Sequence, residues 1–547
     1  MDINDILKHI NFTNLKNELK SALFSLINLI EQLSSENRQL KDEIQQLRDE
    51  NNRLKGEQGK PDIKPNKKNK KDISSEKERK VTKSKKNRKR SKKQNIKINR
   101  QEICRIDQSL LPDDAEFKGY RRVIIQDIKI ETDNIEFKKE VYYSPSLNKT
   151  YTAQLPQGYD GEFGPTLKAL TIIFKNVCTM SQSKIFEFFK HFGIYISKGT
   201  ISNQLIKDHQ AFHQEKTDIV NAGLKTTVYQ AIDDTKARVN GCNYHSHILG
   251  NRYYTAFFTR RQKNRLTVLD VLLNGKQRTY CLNHHALSIL EQLVISKKHF
   301  KKLNKLESEN IFTPSQFENL MLQNFPTIAD QVKSKIVEAA AIAAYRKRGD
   351  SVVVRALLCD DARQFKLICE QLALCWVHEG RHYKKLSPAF KYNAVKVEKF
   401  LKRFWKFYHK LLKYKRSPSV EKAEQLSLEF DQLFSTITEY NDLDARIEKT
   451  KLKKEQLLLS LEYPEIPLHN NDMELGARVC ARKRDVSLHT ITDEGTKAND
   501  TFLTIVETCK KLDVNPFQYI LDRIKKQYQL TSLAQLILNK HQQVAFV

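Results

Sequence analysis

The nine cysteines of this 547-residue chain include no Cys-x-x-Cys pair. A disulfide frame or a thiolate zinc cage needs patterned cysteines, so this scattered, odd-numbered set is expected to be reduced and mostly buried. No apolar run approaches the ~20 residues that span a bilayer. The start, Met1-Asp-Ile-Asn, lacks the basic-then-apolar order of a secretory signal, so a cytoplasmic chain without a membrane partner is expected. Acidic residues are comparatively scarce: 65 Asp and Glu against 95 Lys and Arg give a net charge of +30. That excess calls for a polyanionic partner, nucleic acid foremost. The length exceeds what one compact core organises, so several domains are expected.

Residues 1–55 read as a helix that becomes a coiled coil. Leu19, Leu26, Leu33, Leu40, Leu47 and Leu54 recur every seven residues. With these at d, Leu23, Ile30, Asn37, Ile44 and Asn51 fall at a, a pattern that favours a parallel two-stranded zipper. Glu36, Glu43 and Glu50 at g face Lys41, Arg48 and Lys55 at e of a second copy, which predicts a homodimer. A lone amphipathic helix requires no such charge matching. Residues 56–100 are nearly devoid of apolar side chains and hold Lys67–Lys71 and the run Lys83–Lys93. They read as a disordered basic linker that touches DNA backbone, or as a solvated spacer.

Residues 101–165 read as a small β-rich module, with alternating runs at 122–130, 137–143 and 148–153. Residues 166–215 read as helical. One helix ends at Gly193, and a second starts after Ser197 as N-cap. This resembles a helix-turn-helix, with Lys198, Thr200, Ser202 and Asn203 placed to face a groove or phosphates, although plain helical hairpins share the pattern.

The chemistry is expected over 225–500. A β-prone run ends in Asp233 and Asp234, and a similar run ends in Asp360 and Asp361. Glu474 opens a later helix that Asn470 and Asn471 can cap. Strand-borne carboxylates joined by a third acid on a helix suit two hard cations, Mg²⁺ or Mn²⁺, at a phosphoryl-transfer site. Turns at Asn240-Gly241 and Gly250-Asn251 predict two further antiparallel strands. The order is that of a ribonuclease H-like core, here with helical insertions near 275–345 and 390–460. The expected class is therefore multidomain α+β, closing with a helical tail over 501–547. His378 and Arg381, one helical turn apart, and Arg478, Arg482 and Lys483 beyond Glu474 are the candidate phosphate contacts. A lone histidine or helix acid is otherwise an ordinary packed or solvated residue.

At these residues the chain resembles the IS66 family of bacterial insertion-sequence transposases. It shares the zipper with its basic tail, Asp-Asp-Thr at 233–235, Cys-Trp-x-His-x-x-Arg at 375–381 and Asn-Asn-x-x-Glu at 470–474. The resemblance implies a catalytic triad of Asp233, Asp360 and Glu474 holding two divalent cations, with Asp233 bridging them. It also implies cleavage at element ends followed by strand transfer, DNA ends and target as substrates, and small accessory proteins of the same element. Many members carry a cysteine-paired zinc segment after the linker. Here Cys104 stands alone, so 101–165 is expected to fold without one. Two other readings remain open: a DNA-binding dimer that has lost catalysis, and a related nuclease acting on RNA or junctions.

Overall fold

The computed structural model describes residues 16–54, 96–107, 111–112, 115–349 and 353–545. Of the basic linker, residues 56–95 lie outside that set. Among the described residues the first helix, α1 (Asn17–Leu54), is a single 38-residue run. The leucines of its heptad remain exposed, whereas Phe24 and Ile27 are buried beside Phe390.

The 101–165 stretch differs from expectation. Its regular structure among the described residues is one hairpin, β1 (Val141–Ser144) against β2 (Lys149–Thr152). Residues 122–130 form no strand, and Val123, Ile125 and Ile128 are exposed. Alternation yields a strand only where a neighbouring edge pairs with it and a core covers its apolar face. Neither is present along this run.

A helix at Pro165–Asn176 precedes α2 (Gln182–His191) and α3 (Lys198–Ile206). Ser181 and Ser197 cap these two helices by accepting from the amides of Lys184 and Thr200. Gly193 turns the chain between them at φ +71°, where a side chain would be strained. Ile185, Phe189 and Ile201 anchor the pair in the main core.

The central sheet has five strands: β3 (Tyr229–Val239), β4 (Cys242–Gly250), β5 (Thr255–Arg260), β6 (Ala356–Cys359) and β7 (Gln371–Leu374). Their order is β5-β4-β3-β6-β7. The first three are an antiparallel meander, turned at Asn240-Gly241 as expected, while β6 and β7 run parallel to β3. Five helices from Arg265–Leu273 to Asp330–Lys347 fill the interval before β6. The alanine-rich stretch Ala339–Tyr345 is fully buried in the last of the five.

After β7 come α4 (Trp376–Lys385) and α5 (Lys391–Tyr414), then Val420–Phe434, Asn441–Lys451 and Lys454–Glu462. The helices α6 (Asn471–Ser487) and α7 (Asp493–Leu512) follow. Strand β5 is an edge, and α7 covers it with polar side chains. The amides of Phe257 and Thr259 donate to Thr504 Oγ1 at 3.1 Å and Asp500 Oδ2 at 2.6 Å. Those contacts satisfy donors that would otherwise invite another strand. A domain boundary at 500 would cut this helix, because the sheet needs it as a lid.

Candidate active site

Asp233 sits inside β3 rather than at its end, because the strand continues to Val239. The parallel register pairs Tyr229 with Ala356 and Ala231 with Leu358. Continued two residues past the last pair, and so one residue past the end of β6, the same register sets Asp360 beside Asp233, on adjacent strands that run about 4.8 Å apart. Period-two alternation then gives both the face that buries Tyr229, Ala231, Ala356 and Leu358. Helix α6 covers that face. Met473 joins the same cluster, and a Cβ at Gly476 would lie 2.8 Å from Ile248 Cγ2, so only glycine lets the helix approach so closely. Ile248 is the cross-strand partner of Asp233. Asn470, the N-cap of α6, donates to Ile232 O at 2.7 Å and fastens the start of the helix to β3 beside Asp233.

The carboxyl of Asp233 is pushed up to about 7, first by burial, then by the negative charges of Asp360, Asp234 and Glu474. The hydrogen bond from Asp234 N opposes the shift. Three acids far apart in sequence thus act on one another across a half-buried pocket. Glu474 is 8% exposed and held from α4: Arg381 Nη2 donates to its Oε2 at 2.9 Å, and His378 Nε2 lies 3.6 Å from its Oε1. His378 and Arg381 do share one face of α4, but that face meets a carboxylate inside the protein.

The companion aspartates point to the other face, where cations neutralise them. Asp234 meets Lys263 Nζ at 2.5 Å and accepts from Gln364 Nε2 at 2.8 Å. Asp361 meets Lys366 at 2.6 Å and Lys453 at 2.5 Å. Burial alone would raise the Asp361 carboxyl, but these two lysines hold it below its ordinary value.

Arg478 and Arg482 are exposed on α6. Lys483 is not with them. One residue past Arg482 turns about 100° around a helix, which carries Lys483 into the protein, where it is 8% exposed and donates to Asn176 Oδ1 at 2.6 Å. Burial lowers its ammonium to about 7, so Lys483 is a packed lysine and not a surface cation. On α3, Lys198 and Asn203 are exposed and Thr200 and Ser202 half-buried. Thr200 Oγ1 lies 2.9 Å from the capping Ser197 Oγ. Gln364 was not singled out in the sequence. Asn470 was read as a cap, and it is the N-cap residue of α6, but its side chain makes no capping bond and ties the helix to β3 instead.

Five of the nine cysteines are buried, and all nine are unpaired. Among the described residues no helix is long and apolar enough to cross a membrane.

A family model described as "Transposase IS66 family" matches residues 350–498. That span holds Asp360, the whole of α4 and Glu474, and leaves Asp233 outside it. Over 327 residues the chain is 32% identical to "Uncharacterized protein y4jO" of Sinorhizobium fredii (strain NBRC 101917 / NGR234), an alignment covering 59% of this chain and 100% of that protein.

Proposed function

The chain belongs to the IS66 family of transposases, and from that premise we propose that it cuts and joins DNA at a carboxylate site formed by Asp233, Asp360 and Glu474. The observation that carries this reading is the β3–β6 register, which sets Asp233 and Asp360 side by side under the helix bearing Glu474. Supporting it, strand order, hairpin and the helix with the third acid follow the ribonuclease H-like plan.

The donor set fits divalent metal. Asp233 accepts a hydrogen bond from a backbone amide, and its carboxyl is raised first by burial and then by the negative charges of Asp360, Asp234 and Glu474, charges that a bound cation would offset. Asp233, Asp360 and Glu474 would hold two Mg²⁺ or Mn²⁺ ions. Such ions would activate a water or a DNA 3′-hydroxyl as nucleophile and stabilise the negative charge that develops on the phosphate oxygens. The protein's own part is positional. Asn470 fixes α6 to the strand of Asp233, Arg381 orients the Glu474 carboxylate, and lysine pairing keeps Asp234 and Asp361 out of the ligand set. Arg478 and Arg482 are placed for flanking phosphates, and Lys198, Thr200, Ser202 and Asn203 for a groove or backbone contact. The exposed heptad leucines of α1 would pair two copies, one for each element end.

The test is cleavage of DNA bearing the element's own ends. Asp233→Asn, Asp360→Asn and Glu474→Gln should each lower strand cleavage in Mg²⁺ by at least about 10³-fold with DNA binding retained. Cleavage that persists in all three, or wild type inert with Mg²⁺ and Mn²⁺ alike, would overturn the assignment.

A further inference from the structure

The donors around Glu474 are not all hard. Cys375 Sγ, a ring nitrogen of His378 and a carboxylate oxygen of Glu474 lie within 4.8 Å of one another. Cys375 is 1% exposed and is the N-cap of α4, His378 follows one turn later, and Glu474 reaches across from α6. The guanidinium Nη1 of Arg381 lies 3.1 Å from His378 Nε2. A guanidinium only donates, so Nε2 accepts and the ring proton is on Nδ1. The Nε2 lone pair and Glu474 Oε1 then face each other at 3.6 Å. Two acceptors at that distance repel unless a cation lies against both, and Arg381 is the cation that does, donating also to Glu474 Oε2 at 2.9 Å.

We propose that Cys375, His378 and Glu474 form a second metal site, selective for one zinc-class divalent ion, and that filling it withdraws Glu474 from the carboxylate site. A thiolate, an imidazole and a carboxylate with a fourth position open is a zinc donor set. Mg²⁺ takes oxygen ligands and has no use for the sulfur. Ligation exchanges the thiol proton for the ion and displaces Arg381, which occupies the site as a monovalent stand-in. His378 Nδ1 is buried without a hydrogen-bond partner. It therefore lacks the outer support that usually strengthens a ligating histidine, which fits a reversible ion better than a permanent structural one. Zinc binding needs only the three donors. The inhibitory consequence rests on the assignment of Glu474 to the reacting site.

Cobalt(II) reports the site directly, since a cobalt-bound thiolate gives a near-ultraviolet charge-transfer band. Titration of full-length, metal-stripped protein should give that band with one equivalent of Co²⁺, and Zn²⁺ should displace it. Cys375→Ser should abolish the band and weaken Zn²⁺ binding at least about tenfold. Arg381→Gln should tighten binding severalfold, a gain that misfolding does not produce. Asp233→Asn should leave the band intact while cleavage is lost, which separates failure of this site from failure of the carboxylate assignment. Micromolar Zn²⁺ should inhibit Mg²⁺-dependent cleavage by wild type. No thiolate band in wild type, or a band that survives Cys375→Ser, would overturn the second site. Unaltered cleavage in saturating Zn²⁺ would overturn its inhibitory role.

Discussion

Adjacent aspartates with opposite fates define the residue scale. Asp233 and Asp234 differ by one step of a strand, so one faces a pocket of like charge and the other meets Lys263. The raised Asp233 carboxyl has a consequence for stability. Its native pKa of about 7 exceeds the ordinary 3.8, so the folded state holds a proton that the unfolded state releases between those values. Stability therefore falls as pH rises from about 4 to about 7, by up to about 4 kcal/mol for a shift of roughly three units. Asp233→Asn should remove that loss. Metal-free thermal melts should show the variant more stable than wild type at pH 8 and nearly equal to it at pH 4, and equal melts at pH 8 would refute the electrostatic account. The three acids were legible in the sequence because strand propensity and helix capping are local signals. Arg381 was legible only as a cation: its partner Glu474 lies 93 residues on and meets it where two helices cross. Lys483 was misread because a cluster of basic residues does not by itself say which of them turns inward.

Elements are held by charges that no periodicity reveals. Glu379 of α4 is 3% exposed and is the hub that binds the helix Asn441–Lys451 to the site. It pairs with Arg446, accepts from Thr450 Oγ1 at 2.6 Å and lies 3.3 Å from Lys453. Glu379→Ala would strand the largely buried Arg446, while Lys453 keeps Asp361 as its partner, a loss of about 3 kcal/mol. Urea unfolding with a probe in the 390–460 helices should show that segment releasing early, and an unchanged midpoint would argue against the hub. The N-terminal helix carries a comparable contact. The N-cap of α5, Phe390, makes no side-chain capping bond. Instead Glu31 of α1 accepts from the amides of Ala389 at 2.7 Å and Phe390 at 3.1 Å, and from Asn393 Nδ2 at 3.2 Å. Glu31→Ala should speed amide exchange at 389 and 390 by roughly fivefold, the loss of about 1 kcal/mol of hydrogen bonding. Unchanged exchange there would mean α1 does not cap α5. The heptad made α1 legible as a helix. Its docking face was not read, although Phe24 and Glu31 at b and Ile27 at e were the available clue: these positions bind the protein's own body, and the a-position residues Leu23 and Ile30 pack beside them, while the d-position leucines stay exposed.

Across the whole molecule, charge and topology converge on the second helical insertion. The net charge of +30 was plain in the sequence, but not where it concentrates, because a lysine-rich helix reads the same whether its stripe faces water or lines a groove. In the structure Lys402, Lys406, Lys410 and Lys413 run along one side of α5 and line a groove of about 660 Å³ with Trp405 and Glu398; Lys402 pairs with Glu398 at 2.9 Å and Lys410 with Glu429 at 2.6 Å. The helix that follows α4 thus presents a lysine track, and a DNA flank leaving the proposed carboxylate site along it would release counterions there. Each phosphate contact contributes about 0.9 to the slope of log K against log salt. Lys402, Lys406 and Lys413 changed together to Gln should therefore reduce that slope by up to about 3, with weaker binding at low salt and little difference at high salt. Filter binding of end-bearing duplex across a salt series reads this directly. A slope equal to wild type would make the track a solvated face, and the flank would then have to leave by the side that bears Arg478 and Arg482.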